Sequence, residues 1–442
     1  MGGYELELDD IQAGVLRPRP TPYAATYIIF RIDERSAGRD LICRLSAVVA
    51  SAANSESPAR DAWVSVALSF QGLKALGVPE QSLATFSPEF QQGMRARADL
   101  LGDDGESSPE HWEKPLGSSD VHIVMVAVAP TSELLERSLQ RARKVYEEMR
   151  GVTAVWRQDC HALPGDKEAF GFRDGISHPA IEGSGTPGTN PDELPLKAGE
   201  FVLGYPDEMG GSPPIPQPEV LGRNGSYVAF RKLHQRVAAF RRYLKENSAN
   251  TEQEEWIAAK MMGRWRSGAP LALCPFHDDA ALGADSSRNN RFLFKGDDPI
   301  GYKTPCGSHI RRTNPRDSDI AGVARIHRMI RRGAAYGPLL ADGALEDDGM
   351  DRGLMFAFVG AHLSRQFEFV QSEWMNDGSF FGAPGTTDVL GRSSEGAGGF
   401  DIPKRPLRVR LRGLPNFVVN KGGEYCFLPG LRALQWLGNL TD

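Results

Sequence analysis

The chain has 442 residues with 51 Lys or Arg against 57 Asp or Glu, a formal net charge of −6. At roughly 100–200 residues per domain this length allows about two to four domains, and the 40% hydrophobic and 24% charged fractions exclude a disordered or fibrous chain. The acidic balance argues against a nucleic-acid or anionic-membrane binder, which needs clustered positive charge, and no run approaches the ~18–20 apolar residues of a membrane span.

The N-terminal residues 1–10 are acidic and lack an apolar h-region, so they do not read as a secretory signal. Five scattered cysteines form no CxxC pair, which leaves neither a zinc ribbon nor a disulfide framework. A soluble, cytoplasmic protein is the expectation. Residues 27–32 are β-branched and aromatic, a strand, and 37–53 have helical composition. Residues 63–68 form a second strand, with Trp63, Ser65 and Ala67 on one face and Val64, Val66 and Leu68 on the other. Residues 122–128 are apolar on both faces, a central strand. Pro130-Thr131-Ser132 then offers a helix cap before Leu135, Leu139, Ala142, Tyr146 and Met149 recur on one helical face, and 152–156 is a strand.

This order of strands and helices is that of a ferredoxin-like α+β unit. Similar pieces follow. A strand at 226–230 leads into a long helical region ending near Arg264, a strand at 354–359 into a helix over 364–375, and a strand at 425–428 into the last helix. The reading is two ferredoxin-like domains, each a four-stranded antiparallel sheet with flanking helices, spanning 1–180 and 221–442. Between them 181–220 is a Gly/Pro-rich linker or insertion, and 377–399 is a second Gly/Ser-rich loop.

Three segments carry candidate chemistry. Phe170-Gly171-Phe172-Arg173-Asp174-Gly175-Ile176-Ser177-His178-Pro179 sets an acid between glycines, which suits backbone brought close to a flat ligand; an Asp-Gly turn is the plainer reading. In Cys306-Gly307-Ser308-His309-Ile310-Arg311-Arg312, the imidazole is a metal ligand beside anion-binding cations, or a solvated histidine in a basic loop. The run from Arg325 to Gly333 is a solvated basic face, a nucleic-acid stripe, or the source of a buried arginine aimed at a reacting oxygen. No GxSxG, GxxxxGK[ST] or HExxH motif occurs, and without CxxCH any haem would be held non-covalently. Cys274-Pro275 could offer a thiolate, but a packed cysteine is the simpler account.

Taken together these segments resemble the dye-decolourising peroxidase family, its larger bacterial and fungal members in particular. The resemblance rests on Gly171-Phe172-Arg173-Asp174-Gly175, matching the GxxDG signature, on His309-Ile310-Arg311 and on Arg331-Arg332-Gly333. It extends to Asp9-Asp10-Ile11-Gln12, Gly263-Arg264-Trp265-Arg266-Ser267-Gly268 and Phe367-Glu368-Phe369-Val370-Gln371, in one order along the chain.

That resemblance implies one haem b per chain, held mainly by the C-terminal domain, with His309 on iron from the proximal side and Asp174 and Arg331 on the distal side. Asp174 would shuttle the peroxide proton and Arg331 stabilise the charge of O–O heterolysis, yielding a ferryl species that oxidises dyes and phenolics. A carboxylate shuttle predicts dye activity that peaks in mildly acidic buffer. Gly175, Ile176, Leu354, Phe356 and Phe367 would line the haem pocket, and Arg311 would pair with a propionate. Asp388, with Glu424 in reserve, would accept from the second nitrogen of His309. Tyr336 or Trp374 would relay electrons from donors too bulky to enter, although either could be ordinary packing. The partners implied are hydrogen peroxide and an organic reductant, without nucleic acid or membrane, in a monomer or homodimer. A haem-handling protein without turnover is the alternative.

Overall fold

A computed structural model describes residues 5–53, 62–318, 323–379, 385–392 and 399–441; the first four residues and parts of the 377–399 loop lie outside the described residues. In the first half, β1 (Ala24–Ile32) leads through the helix Arg35–Ser46 to β2 (Trp63–Ser69), and β3 (Ile123–Ala129) through the helix Ser132–Tyr146 to β4 (Val152–His161). All pairings are antiparallel, in the order β4-β1-β3-β2. The second half contains β5 (Ser226–Gln235), the short β6 (Ile330–Arg331) and β7 (Ala334–Tyr336), and β8 (Gly353–Gly360). A separate ribbon of β9 (Phe400–Ile402) and β10 (Val409–Leu411) precedes β11 (Val418–Leu428). Here the order is β11-β5-β8, with β6 and β7 sharing the outer edge of β8.

Both halves therefore repeat the ferredoxin-like 4-1-3-2 order, as their alternation of strands and helices predicts. Their sheets are fused. Cys426 and Phe427 pair with Ser69 and Leu68, making one nine-stranded sheet, and β4 packs against β7 at the other end, curling it into a barrel. Strand alternation sorts the core. Val64, Val66 and Leu68 join Leu41, Leu45, Leu135 and Leu139 under the helices. Trp63 and Ala67 face the barrel interior with Tyr27, Ile29, Val124, Phe230 and Met355. The cap operates as read: Thr131 Oγ1 accepts from the Leu134 amide.

Four elements differ from expectation. The helix expected over 37–53 stops at Ser46, because beyond it the Ala50 and Ala52 amides bond to the carbonyls of Val64 and Ile11. The helical region before Arg264 is two helices, Val237–Glu246 and Thr251–Met262, the second capped by Asn250 accepting from the Gln253 amide. The expected helix over 364–375 is wound as two π-helical pieces, Leu363–Glu368 and Val370–Asn376, a geometry frequent at functional sites. The Gly/Pro-rich segment lacks long elements as predicted, but it is not a free linker. Leu196, Phe201, Val202, Leu203 and Tyr205 are wholly buried within it, and Glu200 pairs with Arg365. Among the described residues no helix is long and apolar enough to cross a membrane.

Candidate active site

The outer face of the second half-sheet is hollow. Arg231, Leu233 and Gln235 of β5, Leu354 and Phe356 of β8, and Val418 and Asn420 of β11 floor a cavity of about 480 Å³, within the ~300–1,000 Å³ of small-molecule sites. Ile176, Met262, Phe367, Val370, Met375 and Leu390 add apolar wall. Segments far apart in sequence converge on it, bringing together Asp174, Gly175, Ile176, His309, Arg331, Leu354, Phe356 and Phe367.

His309 opens the helix His309–Thr313. Its Nδ1 lies 2.8 Å from Asp388 Oδ2, and Asp388 Oδ1 accepts the amides of Leu390 at 2.8 Å and Gly391 at 2.9 Å. Burial pushes the Asp388 carboxyl up, but the His309 ring and those two amides outweigh it and hold the group below its ordinary value. A carboxylate acceptor puts the proton on Nδ1 and leaves the lone pair on Nε2, the arrangement that orients metal-binding imidazoles. Gly391 packs beside it: a Cβ there would meet the terminal Met375 Cε at 2.0 Å, which a flexible side chain can withdraw, and His309 Cε1 at 3.3 Å. Glu424 lies elsewhere, accepting the amides of Met94 and Tyr425, so of the two acids it is Asp388 that contacts the imidazole.

Asp174 sits in a turn whose glycines adopt left-handed backbone, Gly171 at φ 95° and Gly175 at φ 74°. That conformation favours glycine at these two positions. The Asp174 amide donates to the Asp166 carbonyl, and its side chain is one-third exposed. Arg331 ends β6 and donates from Nη2 to the Ser177 carbonyl at 2.9 Å. Burial lowers its proton affinity, and the Asp174 carboxylate opposes that effect.

Three expected site residues lie off the cavity. Arg311 is buried, with Nη1 donating to the Thr304 carbonyl at 2.8 Å and to Asp298 Oδ2 at 3.3 Å, and its guanidinium stacks on Phe294. Two residues turn a helix by about 200°, so a side chain at 311 points away from one at 309. The cavity's cations are instead Arg19, Arg173, Arg264, Arg316, Arg328 and Arg392, with Arg231 on the floor. Tyr336 is buried, its Oη 3.3 Å from Asp351 Oδ1. Trp374 is buried against His327 and Phe369. Neither aromatic reaches the surface. Cys274 bonds through Sγ to the Pro270 carbonyl, and burial pushes its thiol up to about 11; it does not line the cavity.

The donor set suits a flat, carboxylate-bearing metal cofactor. Burial lowers Arg264 and Arg316 to about 9 each. Their hydrogen bonds run to neutral acceptors, the carbonyls of Gly268, Asn289, Asn290 and Phe292 and the Asn290 side chain. A wall with two desolvated cations favours a bound anion. Among the described residues no group of three or more His, Cys, Asp or Glu is arranged to hold a metal ion, and the imidazoles that line the cavity are those of His178 and His309.

Comparison with known proteins fits this geometry. Residues 10–158 match the family described as the DyP dimeric alpha+beta barrel domain, and residues 215–388 that described as Dyp-type peroxidase, C-terminal. Peroxidase 2 of Mycetinis scorodonius is 34% identical over 400 residues, 84% of this chain and 75% of that protein. A fungal DyP-type peroxidase from Auricularia auricula-judae aligns in structure with a TM-score of 0.84 at 27% identity, over 99% of this chain and 100% of that one. A dye-decolorizing peroxidase in complex with 2,6-dimethoxyphenol also gives 0.84, at 29% identity over 98% and 100%. Fold and cavity thus define a peroxidase built on an α+β barrel. The chain belongs to the dye-decolorizing peroxidase family, whose members depend on haem.

Proposed function

We propose that the chain binds one haem b non-covalently through His309 Nε2 and reduces hydrogen peroxide at the expense of phenolics and anthraquinone or azo dyes. The observation that carries this reading is the sharing of one cavity by an imidazole braced on Asp388 and by the Asp174 and Arg331 side chains. When bound, haem supplies the redox-active iron at which peroxide is reduced. Arg264, Arg316 and Arg328, the last of them paired with Glu193, would form the cationic wall for its carboxylates, and Leu354, Phe356 and Phe367 would pack against it.

The protein's own part is to move a proton and to stabilise charge. Asp174 takes a proton from one peroxide oxygen and returns it to the other as the O–O bond breaks. Arg331 lines the same cavity, and its cationic fork would offset the negative charge that develops on the departing oxygen. The balance is H2O2 + 2 H⁺ + 2 e⁻ → 2 H2O, the donor supplying the electrons. A small phenol, the class bound by the relative solved with 2,6-dimethoxyphenol, is a direct donor. A bulky dye cannot share the cavity with the cofactor, so its electrons travel through the protein. Of the two buried aromatics, Tyr336 is the relay candidate with a hydrogen-bonded carboxylate at its hydroxyl, Asp351, which Lys232 and His234 also hold.

Hemin titration followed by one equivalent of peroxide tests the reading. One hemin per chain should produce a Soret band that shifts on rapid mixing, and Asp174→Asn should slow the shift by ~10²–10⁴-fold. A protein that takes up no hemin, or an Asn variant as fast as the parent, would overturn it.

A further inference from the structure

The carboxylate of Asp174 is touched by a residue 155 positions earlier in the chain. Arg19 lies in Pro18-Arg19-Pro20, ahead of β1, and its Nη2 is 3.3 Å from Asp174 Oδ2. Its Nη1 donates to the carbonyl of Gly333, between β6 and β7 and two residues beyond Arg331. Its guanidinium carbon lies 3.8 Å from the centroid of the Tyr23 ring, and Tyr23 Oη in turn accepts the Ala335 amide at 2.7 Å. A ring face, a carbonyl and a carboxylate thus locate one guanidinium, and the flanking prolines restrict the backbone that carries it.

We propose that Arg19 is a positioning residue for proton transfer at Asp174, holding Oδ2 so that Oδ1 takes up and returns the peroxide proton. The inference rests on the reading of Asp174 as the proton carrier. A carboxylate on a left-handed turn, one-third exposed, can rotate. Without Arg19 the competing cation is Arg331, and a carboxylate paired with Arg331 would occupy the guanidinium required by the departing oxygen. The carboxylate and the guanidinium that holds it thus both come from the N-terminal half, although the cavity floor belongs to the C-terminal sheet.

The groups that act electrostatically on or with Asp174 are Arg19 and Arg331 as cations, Glu168 from its own loop, and Tyr23 beneath Arg19. The test uses haem-loaded protein carrying Arg19→Met, Arg19→Lys or Asp174→Asn. Peroxide-dependent Soret shifts are timed at pH 5, and infrared difference spectroscopy follows the position and intensity of the carboxylate band that Asp174→Asn abolishes.

Arg19→Met should react about tenfold more slowly at pH 5, inside the ~100-fold that small misplacements cost. Its carboxylate band should move, because one oxygen has lost its guanidinium hydrogen bond, while Arg19→Lys restores most of the rate and of the band position. An Arg19→Met protein with both rate and band unchanged would overturn the inference, as would a Lys variant no better than Met. If Asp174→Asn reacts as fast as the parent, the reading of Asp174 fails first; if it is slow while Arg19→Met is not, only the role of Arg19 falls.

Discussion

On the face covered by the helices Arg35–Ser46 and Ser132–Tyr146, the first half-sheet presents Ile28, Phe30, Val64, Val66, Met125 and Ala127, all buried in one apolar core. On the corresponding face of the second half-sheet, strands in the same order present Arg231, Leu233, Gln235, Leu354, Phe356 and Asn420 to a cavity. The difference lies in the crossovers. In the first half the crossovers, which join strands that are not neighbours in the sheet, are 33–62 and 130–151; in the second they are 236–329 and 361–417. The first long crossover brings Met262, Arg264, His309 and Arg316, and the second Met375, Asp388 and Gly391. Two helices that would fill the face have been displaced by segments that wall a ligand site. One sheet plan serves as a packed core in one place and as an active-site floor in the other.

The comparison can be broken most sharply at the imidazole. His309→Ala should abolish hemin-dependent Soret intensity and cut the peroxide reaction by more than ~10³-fold, since the imidazole braced on Asp388 is gone. Urea unfolding of the hemin-free protein should show a loss of about 1–3 kcal/mol, because the buried Asp388 carboxylate loses its imidazole partner. A substantial residual Soret band would show that another residue ligates the metal.

A paired truncation sharpens the contrast. Phe30, fully buried and edge-on to Tyr146, should cost about 3–5 kcal/mol as Phe30→Ala. Phe356→Ala, on the cavity floor, should cost the hemin-free protein less than ~1.5 kcal/mol, because few contacts are lost across an existing void. Equal losses in chemical denaturation would mean that the two faces are packed alike.

The smaller effect concerns Glu424, on β11 at the seam between the halves. Burial pushes its carboxyl up to about 7 from the 4.5 of an exposed one. A raised folded-state value means that its contribution to stability is greatest below pH ~4.5 and is lost as pH rises through 7. Glu424→Gln should remove that dependence and be more stable than the parent above pH 7.5, by roughly 3 kcal/mol at most. Parallel stability–pH curves for the two proteins would reject the assignment. Smaller still is Tyr336→Phe, expected to lower turnover of a bulky anthraquinone dye severalfold while a small phenol is oxidised at the parental rate; equal loss with both donors would exclude a dye-specific relay.

Much of the scaffold could be read from local pattern. The alternation Trp63-Val64-Ser65-Val66 assigned two faces, and each face meets its own core. Thr131 was recognisable as a cap because the capping bond spans three residues. The π-helical winding of 363–376 was not legible, since its side-chain pattern is close to that of an ordinary helix. Nor was the break at Asn250, where a long helical composition conceals two caps. In the site, family register pointed to Asp174, His309, Arg331 and Asp388. It misplaced Arg311, whose direction depends on the loop carrying Asp298 and Thr304. It also passed over Arg19, which stands in a proline-rich stretch with no pattern of its own.

What the sequence determined alone is what short-range periodicity and backbone chemistry control: which residues form strands, which face each presents, where a helix is capped, and where a turn needs glycine. Only the tertiary structure decided which carboxylate meets the His309 ring, which arginines face the cavity and which half of the chain steadies Asp174. Those contacts join residues 79 to 155 positions apart, and their geometry is the outcome of packing the whole barrel rather than of any local preference.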